Sequence, residues 1–84
     1  MDYSRIYNNL IKNAKSRNSV EHEYYEIHHI IPRCIGGTDE QDNLVRLTYK
    51  EHYVAHHLLC KMYPTEDKLV YGFFCMLRNS SGKR

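Results

Sequence analysis

The sequence predicts a small α+β fold with a ββα unit at its centre. Three observations carry this. Two segments rich in Tyr, Ile, Leu and Val flank a stretch containing Gly36-Gly37-Thr38-Asp39. Apolar residues at three- and four-residue steps precede and follow that pair of segments. Thr48 and Glu51 mark a helix start directly after the second one. The 84 residues read as one domain over 1–84. A chain of this size has a marginal core, which a metal or a partner would strengthen.

The first helix is expected over residues 3–15, capped by Asp2 or Ser4. Tyr3, Ile6, Tyr7, Leu10, Ile11 and Ala14 form its apolar stripe, and Arg5, Lys12 and Lys15 lie off it. Those bases form a solvated face or one turned toward phosphate. Arg17-Asn18-Ser19 reads as a connector. Tyr24 to Ile31 reads as a strand, ended by Pro32, which has no amide proton for a ladder. Residues 33–43 are expected to be a loop, where Gly36-Gly37 permits positive φ and Thr38-Asp39 favours a turn. Leu44 to Thr48 is the second strand, with Val45 and Leu47 on one face and Leu44 and Arg46 on the other.

Thr48 with Glu51 makes a capping box for a helix from Tyr49 to Met62. Val54, Leu58 and Met62 share its expected core face, with Ala55 and Leu59 beside them. Tyr63-Pro64-Thr65 breaks that helix. Thr65 is the expected cap of a C-terminal helix, with Glu66 and Asp67 in its first turn and Leu69, Val70, Phe73, Phe74 and Leu77 on its apolar side. Residues 79–84 read as a frayed tail.

Composition narrows the function classes. The chain is 42% hydrophobic and 26% charged, which is a globular balance. No apolar run approaches a membrane span and no signal-peptide core follows Met1, so a cytosolic protein with no membrane partner is expected. Cys34, Cys60 and Cys75 are odd in number and widely spaced. They argue against a disulfide framework or a zinc ribbon and for three reduced thiols. The net charge is only +2, but it is unevenly spread. Residues 1–20 carry one acid and four bases, residues 21–43 six acids and one base, and residues 44–84 three acids and seven bases.

Five of the six histidines lie between residues 28 and 57. His52 and His56 are four apart on the expected helix, so both imidazoles project from one face and can share a metal. His28, at the end of the first strand, can close the set from across the hairpin. Three protein ligands leave a fourth position open, as in catalytic metal sites. Imidazoles suit zinc or another late first-row divalent ion better than magnesium. His29 points away from His28 on the strand. An imidazole beside the metal but off it can take a proton from water near neutral pH. Asn43 is a turn residue, or its side-chain amide ties the long loop and fixes the first strand, or both. His57, roughly 100° round the helix from His56, reads as a partner or surface group. His22-Glu23-Tyr24-Tyr25-Glu26 lacks the second histidine of a zinc-protease helix.

These residues resemble the HNH (His-Asn-His) nucleases of the ββα-metal class. His28-His29-Ile30-Ile31-Pro32, Gly36-Gly37, Asn43-Leu44-Val45 and His52, nine positions after Asn43, follow that family's pattern over a core motif of residues 24–63. His56 extends it as in the nuclease domains of colicins. Glu51-His52 with Ala55-His56 on one helix looks most similar to small phage and mobile-intron HNH homing endonucleases. The resemblance implies an endonuclease or nickase acting on DNA in a bacterial or phage-infected cell. It implies His29 as general base and Asn43 as its orienting residue. It implies His28 and His56 as metal ligands, with His52 as the third, around one divalent ion drawn from Zn, Mn, Ni or Mg. Many members carry an aspartate at the position of His28 and use magnesium, and some have flanking cysteine pairs for a structural zinc. This chain has neither feature.

Arg33, just after the strand, can hold a phosphate oxygen in the bidentate geometry arginine suits, or it is a solvated surface residue. Arg46 and Lys50 lie near the site, and Arg5 is a more distant candidate for DNA contact. One such site cuts one strand, so a double-strand break requires a homodimer or two successive events. An additional DNA-recognition partner is the other expected assembly. Two alternatives stand beside the nuclease reading: a catalytically silent, metal-stabilised DNA-binding or regulatory module, and a colicin-like toxin nuclease.

Overall fold

The computed structural model describes residues 1–17, 24–73 and 75. Helix α1 (Tyr3–Ser16) begins where the Asp2 carboxylate accepts the Arg5 amide at 3.0 Å, so Asp2 and not Ser4 is the cap. Its buried face is Tyr7, Ile11 and Ala14, while Ile6 turns outward. Strands β1 (Glu26–His29) and β2 (Leu44–Leu47) pair antiparallel, with His28 opposite Val45 and His29 opposite Leu44. Helix α2 (Tyr49–Met62) follows directly. Residues 67–73 are helical again. The architecture is the expected α+β order, and β1, β2 and α2 form the ββα unit.

β1 is shorter than the Tyr24–Ile31 strand the composition suggests. The reason lies in Asn43. Its carbonyl accepts the Ile30 amide at 2.8 Å, and its side-chain oxygen accepts the Ile31 amide at 2.8 Å. A side chain therefore takes over where the ladder would have continued. β2 stops at Leu47 because Thr48 leaves the ladder to cap α2. The Thr48 hydroxyl accepts the Glu51 amide at 3.2 Å, and the Glu51 carboxylate accepts the Thr48 amide at 2.9 Å. The connection between the strands is not plain loop, since Arg33–Ile35 and Gln41–Asn43 are single 3-10 turns.

The core gathers Tyr7, Ile11 and Ala14 of α1, Val45 and Leu47 of β2, Ala55, Leu58 and Leu59 of α2, and Leu69. Leu47 and Leu59 are almost completely enclosed, and truncating either to Ala costs about 2–5 kcal/mol. The core stripe of α2 is centred one residue away from the expected Val54 face, and Val54 is 42% exposed. His52 and His56 claim the face toward β1, which swings Val54 out to solvent. The cap of the C-terminal helix is Glu66 rather than the expected Thr65: the Glu66 carbonyl accepts the amides of Leu69 at 3.0 Å and Val70 at 3.4 Å. Of its expected apolar side, Leu69 is buried and Val70 exposed, while Phe74, Leu77 and the 79–84 tail lie outside the described residues, as does His22.

Arg17, expected only as a connector, fastens the two helices. Its guanidinium donates to both Glu51 carboxylate oxygens at 2.6 and 2.7 Å and to the Arg46 carbonyl at 3.0 Å. The Arg17 contact is the main reason the Glu51 carboxyl lies below the usual carboxylate range.

The Gly-Gly turn divides its two glycines by physical demand. Gly36 sits at φ 104°, the left-handed region, with open space where a side chain would go. A Cβ on Gly37 would collide with the Ile31 carbonyl and lie 2.9 Å from the Pro32 carbonyl oxygen. Gly36→Ala should therefore cost about 1–2 kcal/mol through backbone strain, and Gly37→Ala about 3 kcal/mol or more through overpacking. Urea denaturation of both variants checks this ordering. A Gly37→Ala protein as stable as Gly36→Ala contradicts it.

Candidate metal centre

His28 comes from the inner face of β1, two residues after Glu26, so both side chains point to the same side of the strand. His52 and His56 come from successive turns of α2. The three rings meet edge-to-face, with centroids 5.1 Å (His28–His52), 5.2 Å (His28–His56) and 4.7 Å (His52–His56) apart. One nitrogen from each ring lies within 4.8 Å of the others. The structure thus brings together the three histidines singled out as ligands.

The chemistry of this cluster fits a divalent ion. His28 is only 1% exposed, yet its Nδ1 has no hydrogen-bond partner. A buried bare nitrogen is costly unless something answers it. The Nε2 atoms of His52 and His56 are 3.1 Å apart. Two ligands about 2.0–2.1 Å from a tetrahedral ion are roughly 3.3 Å from each other, so little movement is needed. Two of the rings are also held from behind. His28 Nε2 is 2.7 Å from the Tyr7 hydroxyl, and His52 Nδ1 is 2.6 Å from a Glu26 carboxylate oxygen. Outer partners of this kind orient metal-binding imidazoles. Burial, and next to it the neighbouring His56 ring, pushes the His28 pKa down to about 3. Burial, then His52, pushes that of His56 down to about 4. Both rings are therefore held neutral, the form a metal requires.

His29 lies on the other face of β1 and is half-buried in the same cleft of about 290 Å³, with Ile27, Pro32 and Arg33 on its walls beside the three rings. Its Nε2 is 2.8 Å from Asp39 Oδ1, and the Arg33 Nε is 3.8 Å from that oxygen. The His29 contact first, and Arg33 after it, lowers the Asp39 pKa. Asn43 is buried and does not touch His29. Its amide nitrogen donates to the carbonyls of Ile31 at 3.0 Å and Thr38 at 2.7 Å, and its oxygen accepts the Ile31 amide. It ties the end of β1 to the Gly-Gly loop.

The basic candidates are dispersed. Arg33 is in the cleft. Arg46 is exposed on the outer face of β2, opposite Ile27. Lys50 lines a separate hollow with Tyr24, Thr48 and Tyr49. Arg5 is exposed on α1. His57 stacks on Phe73 at 5.4 Å and takes no part in the cluster.

Three residues around the cluster escape a reading of the sequence: Tyr7, Glu26 and Asp39. Tyr7 counts as one more apolar position on α1, although a tyrosine in a core stripe needs a partner for its hydroxyl. Glu26 carried a usable signal, since period two places it with His28. Asp39 looks like a turn residue, and nothing in its spacing connects it with His29.

Over its full length the chain is 46% identical to the probable mobile endonuclease E of Enterobacteria phage T4, covering 58% of that protein. It is 46% identical to the probable mobile endonuclease C of the same phage, covering 40% of it. Over 88% of its length it is 49% identical to the probable mobile endonuclease D, covering 30% of that protein. The chain thus spans between about a third and somewhat more than half of these curated relatives. No family model matches the chain, and no solved structure does.

The two depressed histidine pKa values make the stability of the metal-free protein depend on pH. An unfolded histidine takes up its proton near pH 6.5, whereas folded His28 and His56 resist until about 3 and 4. The unfolded state binds more protons between those limits, so their contribution is complete above pH 6.5 and is lost as pH falls through 4 toward 3. The urea midpoint of metal-free protein should drop across that window. A His28→Phe, His56→Leu variant should show a flatter profile, and an unchanged slope would count against buried neutral rings.

Proposed function

We propose that this chain is a metal-dependent DNA endonuclease or nickase of the HNH type, hydrolysing phosphodiester bonds. The observation that carries the reading is the division of labour in one cleft: three histidines converge on a common point, and a fourth stands beside them on a carboxylate. The endonuclease names of the phage T4 relatives support the substrate class. His28, His52 and His56 would hold one divalent ion, and this all-nitrogen set favours zinc or another late first-row metal over magnesium. When bound, such an ion supplies charge neutralisation at the phosphodiester.

The remaining work falls to the chain's own side chains. Neutral His29 donates its Nε2 proton to Asp39, 2.8 Å away, which leaves Nδ1 as the ring's acceptor for a proton from water. Asp39 thereby sets the tautomer of the general base. Asn43 acts as a positioning residue. Its three hydrogen bonds fix the backbone at Ile31 and Thr38, and so the end of the strand that carries His29. Arg33, 3.8 Å from Asp39, would take a phosphate oxygen in the cleft. Arg46, Lys50 and Arg5 would make backbone contacts outside it, which position DNA without reading its sequence. One such site cuts one strand at a time.

Incubation with supercoiled plasmid across a series of Zn, Mn, Ni and Mg, with a chelator control, tests this. Nicked product is expected before linear product. His29→Ala should retain metal and DNA binding while cleavage falls by about 10²–10⁴-fold, the usual worth of a general base. Undiminished cleavage removes His29 from that role. No cleavage by the parent chain with any of these metals would favour a silent DNA-binding module.

A further inference from the structure

We propose that Tyr7 is a positioning residue of the metal centre: its hydroxyl fixes the tautomer of His28, so that this ring offers Nδ1 and not Nε2 to the ion. The inference rests on the metal-binding reading of the three histidines and assigns the nitrogens that His28 and His52 use.

Counting protons fixes the tautomer. The Tyr7 hydroxyl, buried in the core, lies 2.7 Å from the Ile30 carbonyl oxygen and 2.7 Å from His28 Nε2. A hydroxyl has one proton to give. The carbonyl has none, so the short contact to Ile30 uses the tyrosine's proton. The equally short contact to His28 then needs a proton from the imidazole, and His28 Nε2–H donates to the tyrosine oxygen. A neutral imidazole carries a single N–H. Nδ1 is therefore a bare lone pair, and it is the nitrogen that finds no partner among the described residues.

The same accounting gives the opposite atom on α2. Glu26 Oε1, 2.6 Å from His52 Nδ1, can only accept when ionised, so His52 carries its proton on Nδ1 and keeps Nε2 bare. His56 presents Nε2 to His52 Nε2 at 3.1 Å. The 3.1 Å contact takes its proton from His56 Nε2, so the accounting yields a mixed set for the other two rings: Nδ1 from His28 and Nε2 from His52. Tyr7 belongs to α1, outside the ββα unit. The first helix thus takes part in the site through one hydroxyl.

Long-range proton–nitrogen correlation NMR on the unmodified chain, with and without zinc, reads this directly. His28 should show a protonated Nε2 in both states, with the zinc-induced nitrogen shift at Nδ1. Tyr7→Phe, which removes only the hydroxyl, should weaken zinc binding by about 10–100-fold in chelator competition, as loss of an outer partner does. A merely structural Tyr7 would lower the melting temperature of metal-free protein and leave the zinc affinity of the folded protein unchanged. Zinc bound through His28 Nε2, or a folded Tyr7→Phe protein with parental affinity, overturns the proposal. Should Tyr7→Phe fail to fold, the NMR of the unmodified chain decides alone. If that chain takes up no zinc, the metal reading itself fails along with this one. Uptake with the wrong nitrogen sinks only the assignment made here.

Discussion

A buried imidazole must have both nitrogens answered, and much of this structure is arranged around that constraint at His28. The ring is almost fully enclosed. Tyr7 answers one nitrogen from α1, and the other faces the rings of α2. For His28 to be buried, α1, β1 and α2 must converge on it. The hydrophobic core joins α1 and α2 through β2, the strand paired with β1, with Tyr7 on one side and Ala55, Leu58 and Leu59 on the other. Packing and site are therefore not separable in a chain this small. Burial desolvates His28 and His56 and keeps them neutral, and the apolar contacts that cause the burial also hold the elements together.

The long connection between the strands is organised by a single side chain rather than by a ladder. Asn43 satisfies two carbonyls and an amide that would otherwise lie unpaired where β1 ends. Gly37 lets the turn close against Ile31, where any side chain would collide. Together they set the backbone that carries His29 and Asp39. At the far end, the bidentate Arg17–Glu51 pair joins the close of α1 to the capping box of α2. A histidine cluster built from β1 and α2 and backed by α1 needs both of these ties, one at each end of the hairpin.

Features encoded by local chemistry were legible in the sequence. Thr48 and Glu51 marked the start of α2, and the four-residue step placed His52 and His56 on one face, because caps and helical periodicity depend on neighbours alone. The alternation in β2 correctly set Val45 and Leu47 inside. Contacts across long sequence separations were not legible. Tyr7 to His28, Arg17 to Glu51 and His29 to Asp39 are side-chain pairings that no local rule announces. The Val54 face failed for a related reason. Apolar spacing alone cannot know that two histidines occupy the neighbouring arc of α2, and their claim on the hairpin rotates the helix. The end of β1 was misjudged because Ile30 and Ile31 favour strand by type, while Asn43 supplies them with other partners.

The depressed basicity of His28 and His56 also bears on how the cluster would compete with protons. In an open histidine site, acid and metal contend for the same lone pairs, and occupancy declines once the solution falls below the ordinary imidazole range. His28 and His56 take up protons only near 3 and 4. For these two ligands protonation is no rival to the ion in mildly acidic surroundings. At these two rings a bound ion would hold its place where an exposed imidazole would yield to acid.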